Sequence, residues 1–233
     1  MGNPAQNRLI RKIDLERFLS QIEPHPSPKV NLEQYTVSEA VAARMLYLAA
    51  YTNGDIIGKI VLDLGCGTGR LALAASYLGA ELVVGVDIDK TAVKTAAKSA
   101  KRAESESNVQ WIIGDVNAIT GSFDTVLQNP PFGVQKRAAD RKFLVKALEV
   151  GNVVYSLHNH PCTDKQLIKR LKANTASLLQ VAPSPFIEKF VERHHGEVKA
   201  VYAMLMTIPR MFDFHTKLRH DFVVDLYVIK KSS

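Results

Sequence analysis

Residues 59–64, KIVLDL, run straight into Gly65-Cys66-Gly67-Thr68-Gly69, and a helical pattern follows over residues 70–77. This succession of strand, glycine loop and helix is the most restrictive feature of the chain. Glycines put no Cβ in the way, so the backbone can approach a ligand closely and the amides of the next helix stay free. Three further apolar runs follow: residues 81–86 ending in Asp87, 108–113 ending at Gly114-Asp115, and 122–128 ending in Asn129-Pro130-Pro131-Phe132. Four strands separated by helix-length spacers predict a parallel, doubly wound α/β sheet with helices on both faces. Ligand-handling residues are then expected at the carboxyl ends of the strands.

In residues 7–18, Leu9, Ile10, Ile13, Leu15 and Phe18 alternate with charges. The spacing predicts an amphipathic helix that ends by Glu23, because the prolines of residues 24–28 cannot continue it. A second helix is expected from residue 39, with Ser38 as its N-cap and Asn53-Gly54 as its exit. Residues 1–58 therefore read as a short helical extension packed on a core domain of residues 59–233. Beyond the Asn-Pro-Pro-Phe segment come a helix over 141–148, a strand over 152–157 and a basic helix over 163–173 with Thr163 as N-cap. Residues 199–208 and 221–229 are β-prone and joined by too short a segment for a crossover helix. That predicts an antiparallel pair at the sheet edge.

The chain has 233 residues, 46% hydrophobic and 23% charged, enough apolar surface to bury one domain and to exclude disorder throughout. Its 30 Lys and Arg against 23 Asp and Glu leave a formal charge of +7, which favours a polyanionic partner. Two cysteines, Cys66 and Cys162, make no disulfide framework, residues 1–11 lack a secretory apolar segment, and no apolar run is long enough for a membrane span. A cytoplasmic location follows as the expectation.

A nicotinamide dinucleotide and S-adenosylmethionine compete for such a glycine loop. Asp87, about twenty residues beyond it at the end of the second strand, can accept from two ribose hydroxyls and serves either. Asp63 before the glycines and Asp115 after the third strand are unhelpful to a pyrophosphate. Beside a cation and an adenine amine they are useful, which favours S-adenosylmethionine. The segment Asn129-Pro130-Pro131-Phe132 points to the acceptor. An amine on a base, or an amide nitrogen, has a delocalised lone pair and attacks a methyl group poorly. Hydrogen-bond acceptors on its N–H bonds bend it toward tetrahedral geometry. Consecutive prolines stiffen the backbone and donate nothing, so the Pro130 carbonyl and the Asn129 side-chain oxygen can be aimed as acceptors. Phe132 can stack on a planar substrate drawn into the pocket.

These segments, together with Leu32-Glu33-Gln34-Tyr35, Ala42 to Tyr47, Gly85-Val86-Asp87-Ile88-Asp89, Val154-Tyr155-Ser156-Leu157-His158 and Val224-Asp225-Leu226, resemble the methyltransferase-like protein five family and its archaeal relatives. The resemblance covers residues 32–229. It implies a Rossmann-like class I methyltransferase that transfers a methyl group from S-adenosylmethionine to N6 of an adenosine in small-subunit ribosomal RNA. By the same resemblance Gln34 and Tyr35 line the cofactor pocket, Asp63 and Gly65 face the methionine part, and Cys66, Gly67 and Gly69 complete the loop. Asp87 with Ile88 takes the ribose, and Asp115 with Val116 the adenine. Asn129, Pro130, Pro131 and Phe132 bind the target base, assisted by Phe214, His215 and Lys217. Val37 stands where the family commonly has threonine, which removes one hydroxyl from that corner. The family also implies a partner, a small zinc-binding activator protein that covers an apolar edge; here Leu82, Val83, Val84, Val109, Trp111 and Ile113 mark that region.

Lys136, Arg137, Arg141 and Lys142 follow the Asn-Pro-Pro-Phe segment and are expected to contact RNA phosphates. His158, His160 and Cys162 lack a fourth ligand, so no metal is expected there. His158 is expected to pack in or near the pocket, and His194-His195 to close a helix. Three other readings use the same pocket or charge: a protein glutamine-N5 methyltransferase, an RNA guanine-N2 methyltransferase, and a non-catalytic RNA-binding assembly protein.

Overall fold

The computed structural model describes residues 9–29, 33–34, 36–103, 108–132, 139–161, 165–173, 178–209 and 219–232. Five parallel strands, β1 (Ile60–Leu64), β2 (Leu82–Asp87), β3 (Val109–Ile113), β4 (Phe123–Gln128) and β5 (Gly151–Asn159), lie in the order β3-β2-β1-β4-β5. Their residues alternate between two cores, as a two-residue side-chain period requires. In β1, Val61 joins one buried cluster while Leu62 and Leu64 join the other.

The first cluster lies beneath α1 (Lys12–Ser20), α2 (Glu39–Tyr47) and α3 (Arg70–Tyr77), and includes Leu15, Leu19, Met45, Leu71 and Leu73. Of the apolar pattern of the first residues Leu15 is fully buried, together with Leu19, whereas Leu9, ahead of the helix, and Ile13 are exposed. Phe18 of α1 stacks on Tyr77 of α3, with ring centroids 4.2 Å apart. The Ser38 side chain caps α2 by accepting from the Val41 amide at 3.4 Å. The helix then widens into a π-helical turn, Leu48–Thr52, before leaving at Asn53. The second cluster lies beneath α5 (Ala139–Val150) and α7 (Pro185–Arg193). α4 (Lys90–Arg102) and α6 (Lys165–Ala173) complete the helices of the described residues.

The structure departs from the sequence reading at three places. The connection from β3 to β4 holds a short 3-10 turn, Val116–Ala118, where a helix-length spacer was expected. Asp115 starts that turn by accepting from the Asn117 amide, and Gly121, at φ +108°, redirects the chain into β4. The antiparallel pair, β7 (Gly196–Pro209) and β8 (Arg219–Lys231), does form, with β8 also antiparallel to β5. The outermost position nevertheless belongs to β6 (Leu179–Gln180), which pairs with β7 and is too short to announce itself by pattern. α7 is the third departure: only its exit at His194-His195 was legible, and its start at Ser184-Pro185 was not. The proposed cap Thr163 lies outside the described residues, as does the whole segment between β7 and β8, residues 210–218.

Candidate active site

β1 and β4 are neighbours, and Asp63 of one is in register with Leu127 of the other. Gly65 and Asn129 therefore each stand two residues past the same rung, so the glycine loop and the Asn-Pro-Pro-Phe segment leave adjacent strands side by side. This is the place where strand order reverses in the parallel part of the sheet, and a crevice forms there because the two chains turn to opposite faces. On the other side of β1, Leu64 pairs with Val86, which brings Asp87 to the same rim.

The loop is tightly held. The amides of Gly65 and Cys66 both donate to the Val86 carbonyl at 2.9 Å, and Gly69 donates to the Cys66 carbonyl at 2.8 Å. Gly65, Gly67 and Gly69 have φ of +76°, +53° and +80°, a region that side chains avoid. Their surroundings differ. A Cβ on Gly65 would lie 2.6 Å from the Phe143 ring and one on Gly69 2.5 Å from the Trp111 ring, whereas one on Gly67 would meet nothing within 4 Å. Gly65 and Gly69 are required by the protein's own packing. Gly67 borders open space, and there a ligand can meet bare backbone. Trp111, which also presses on Gly85, supports this loop from β3; sequence reasoning placed it among the strand residues of the edge expected to meet a partner.

Asp87 holds the loop from the second strand. One carboxylate oxygen accepts from the Gly67 amide and the other from the Asp89 amide, each at 2.8 Å. Burial pushes the Asp87 carboxyl up, and the two backbone bonds oppose that shift. Each oxygen keeps a lone pair for a further donor. Asp63 is buried behind the loop and accepts from the Ala72 amide at 2.8 Å. Burial, helped by the nearby charge of Asp87, pushes its carboxyl up to about 7. Burial also pushes the Cys66 thiol up, which leaves it a packing thiol and no nucleophile. Ile88 stands beside the crevice, 58% exposed. Asp115 is exposed at the tip of β3, and Val116 is buried.

Gln34 does reach this region, through a contact that was not foreseen. Its amide donates to an Asp89 oxygen at 2.9 Å, and its own oxygen accepts from the Lys29 backbone at 2.7 Å. Lys29 Nζ at 3.2 Å and His25 Nε2 at 3.3 Å converge on the same Asp89 oxygen. Burial opposes charge at Asp89, but the Gln34, Thr91 and Lys29 hydrogen bonds win and hold its carboxyl well below the usual range. Val37 has a buried side chain among apolar neighbours and a carbonyl that accepts from Arg70 Nη1. Arg70 also pairs with Glu39 at 3.0 Å. The lead-in is thus tied to the first residue of α3 through its backbone. Tyr35 lies outside the described residues.

Pro130 is buried, and Phe132 is half-buried with its ring edge-on to Phe222 at 6.0 Å. Beneath the segment runs a buried polar row that sequence reasoning missed. Gln128 Nε2 donates to Ser156 Oγ at 2.8 Å, Ser156 Oγ lies 2.8 Å from His158 Nε2, and His158 Nδ1 lies 4.0 Å from Asp140. Burial drives His158 down to about 4, so the ring is neutral at pH 7. Ser156 Oγ thus accepts from Gln128 and shares a second hydrogen bond with His158 Nε2. The signal available was Ser156 and His158 at alternate positions of one strand. His160 is engaged separately, with Nδ1 2.9 Å from each oxygen of Asp225. Of the substrate-side candidates, Lys136, Arg137, Phe214, His215 and Lys217 lie outside the described residues, as does Cys162.

The methyltransferase domain family matches residues 57–202. The chain is 34% identical to the rRNA N(6)-adenosine-methyltransferase Mettl5 of Drosophila melanogaster, over 91% of this chain and 93% of that one. The crystal structure of a Pyrococcus horikoshii protein proposed to be an RNA methyltransferase superposes with a TM-score of 0.80 at 37% identity, covering 97% of this chain and 100% of that one. A Methanocaldococcus jannaschii protein proposed to act as a protein N5-glutamine methyltransferase is 40% identical, but over only 34% of this chain and 39% of its own.

Proposed function

The chain belongs to the family of Mettl5-type rRNA N6-adenosine methyltransferases, and on that premise we propose that it methylates N6 of an adenosine in structured, small-subunit ribosomal RNA. The observation that carries the reading is the shared rim: a glycine loop with one open glycine and an Asn-Pro-Pro-Phe segment leave adjacent strands at the same level. S-adenosylmethionine supplies the electrophilic methyl group. Asp87 accepts from the ribose hydroxyls with the lone pairs its backbone donors leave over, and Asp63 faces the cationic amino group. Asn129 and the Pro130 carbonyl accept from the adenine amine and turn its lone pair toward the methyl group, while Phe132 stacks on the base. Pro131 keeps that turn rigid. No strong base is needed, because the nitrogen becomes acidic once methylated and sheds its proton to water.

Glutamine-N5 transfer uses similar acceptor geometry, but the likeness to such a protein is confined to about a third of this chain, whereas the likeness to the RNA enzyme spans nine-tenths of it. The test is incubation with labelled cofactor and separate pools of ribosomal RNA and ribosomal protein, followed by nucleoside analysis. Label in N6-methyladenosine, lost in Asn129→Ala with RNA retention kept, is the expected result. Label in protein or in N2-methylguanosine would replace the reading.

The reading extends to a protein partner and a location. β3 is the outer strand on its side of the sheet, and Ile112 and Ile113 are 40% and 51% exposed there. An apolar strand edge of this kind favours a covering chain, in keeping with the small zinc-binding activator of the family. Co-expression with such an activator should raise the yield and activity of the protein, and Ile113→Lys should abolish that gain. The buried, unpaired Cys66 fits a reducing cytoplasm, and fractionation of cells expressing the tagged chain tests that location.

A further inference from the structure

The first turns of α5 and α7 converge on the mouth of the site. Asp140, at the start of α5, has a carboxylate oxygen 4.0 Å from His158 Nδ1, and His158 is hydrogen-bonded through Ser156 to Gln128, the residue before Asn129. The Ser184 amide, at the start of α7, donates to the Tyr227 hydroxyl at 2.8 Å, and the Tyr227 ring meets His158 edge-on at 5.3 Å. The residues that follow these two anchors are Arg141 and Phe186. The Arg141 guanidinium lies over the Phe186 ring, 4.7 Å from its centroid, and Phe186 is 52% exposed. Phe186 in turn stacks on Phe190 at 6.2 Å with the ring planes 28° apart, which fixes its orientation. Phe190 itself packs on the second core cluster.

An aromatic ring held half in solvent, braced from below and capped by a planar cation, has no core to serve. A nucleobase fits such a pair by stacking on the outer face of the guanidinium that the ring supports, and a phosphate beside it meets the charge of Arg141 and Lys142. We propose that Arg141 and Phe186 form a subsite that stacks an unpaired nucleotide flanking the target adenosine. It deepens the reading above and rests on it for the identity of the RNA. The target base enters between Asn129 and Phe132, and the neighbouring nucleotide leaves across the first turns of α5 and α7.

The test measures retention of a ribosomal RNA fragment and steady-state methylation for wild type, Phe186→Ala, Phe186→Leu and Phe186→Trp. Loss of one base stack is expected to weaken RNA retention and raise the KM for RNA roughly tenfold in both Phe186→Ala and Phe186→Leu. kcat at saturating RNA and cofactor affinity should not change, and Phe186→Trp should restore binding. Arg141→Lys, which keeps the charge and loses the plane, should fall between wild type and Arg141→Ala. The proposal is overturned if Phe186→Leu binds RNA within twofold of wild type while Phe186→Ala does not, because the ring then serves packing alone. Equal binding by all the variants overturns it as well. A wild-type protein that retains RNA but makes no N6-methyladenosine removes the assigned reaction, and the retention series then still decides the subsite.

Discussion

Cofactor affinity should rise about tenfold between pH 6 and pH 8 because of a single buried carboxyl. Asp63 is 1% exposed, accepts one backbone N–H from Ala72, and is pushed up to about 7 by burial and by the neighbouring charge of Asp87. At pH 6 the apo protein therefore holds a proton there, and the protonated amino group of the ligand selects the ionised form. Affinity scales as the fraction ionised in the free protein, which makes it about elevenfold weaker at pH 6 and about twofold weaker at pH 7 than its high-pH limit. Binding at pH 6 should release roughly 0.9 proton. Calorimetry with S-adenosylhomocysteine in two buffers of different ionisation enthalpy reads both quantities. Asp63→Asn should bind weakly and without pH dependence. The same carboxyl costs stability in the apo protein. The folded state binds more protons than the unfolded one between about pH 4 and 7, so stability falls as pH rises through that window, by up to about 4 kcal/mol. Asp63→Asn should therefore melt higher than wild type at pH 8. Wild-type affinity that is flat from pH 6 to 8, with no proton released, would refute the argument.

His158 works in the opposite sense: burial holds it down to about 4, so the unfolded chain binds its proton first and stability is lost as pH falls from about 6.5 to 4. His158→Asn should flatten the acid side of a melting-temperature profile and, by loosening the row beneath Asn129, lower kcat with little change in cofactor affinity. Asp87→Ala removes the acceptor of the Gly67 and Asp89 amides together with the proposed ribose partner, and should weaken cofactor binding by more than about tenfold in a titration. Gly69→Ala sets a Cβ 2.5 Å from Trp111 and 2.9 Å from Ala96 at φ +80°, and denaturant unfolding should show a loss of at least about 2 kcal/mol. Leu19→Ala should cost about 2–5 kcal/mol in the same measurement, since its side chain has no exposure.

What the sequence made legible were features whose cause is local. The glycine loop, the strand ends at Asp87, Asp115 and Asn129, and the cap at Ser38 each follow from residue type and spacing, and β1 to β5 appear within a residue or two of their expected ends. What escaped was set by partners distant in sequence. β6 is two residues long and exists because β7 offers an edge, so no period could reveal it. The polar row joins Gln128 of one strand to Ser156 and His158 of the next, and it becomes visible only once the register Gln128 to Ser156 is known. Gln34 was placed at the cofactor by resemblance, yet its hydrogen bonds go to Asp89 and Lys29, fifty-five and five residues away.

That contact bears on how the extension and the sheet work together. His25, Lys29 and Gln34 come from the proline-rich connector and its sequel, and all three converge on one oxygen of Asp89, two residues past Asp87. Asp89 also caps α4 by accepting from the Thr91 amide, and its own amide donates to Asp87. A carboxylate with this many donors is stabilised in its charged form, and the prolines limit what the connector can do if released. Arg70 makes a second tie, from the first residue after the glycine loop back to Val37 and Glu39. The helical extension thus reaches the cofactor crevice at both rims, through Asp89 on one side and Arg70 on the other. Substitutions far from the glycine motif, at Lys29 or Gln34, would then be felt first at Asp89, whose amide is one of the two backbone donors that hold Asp87.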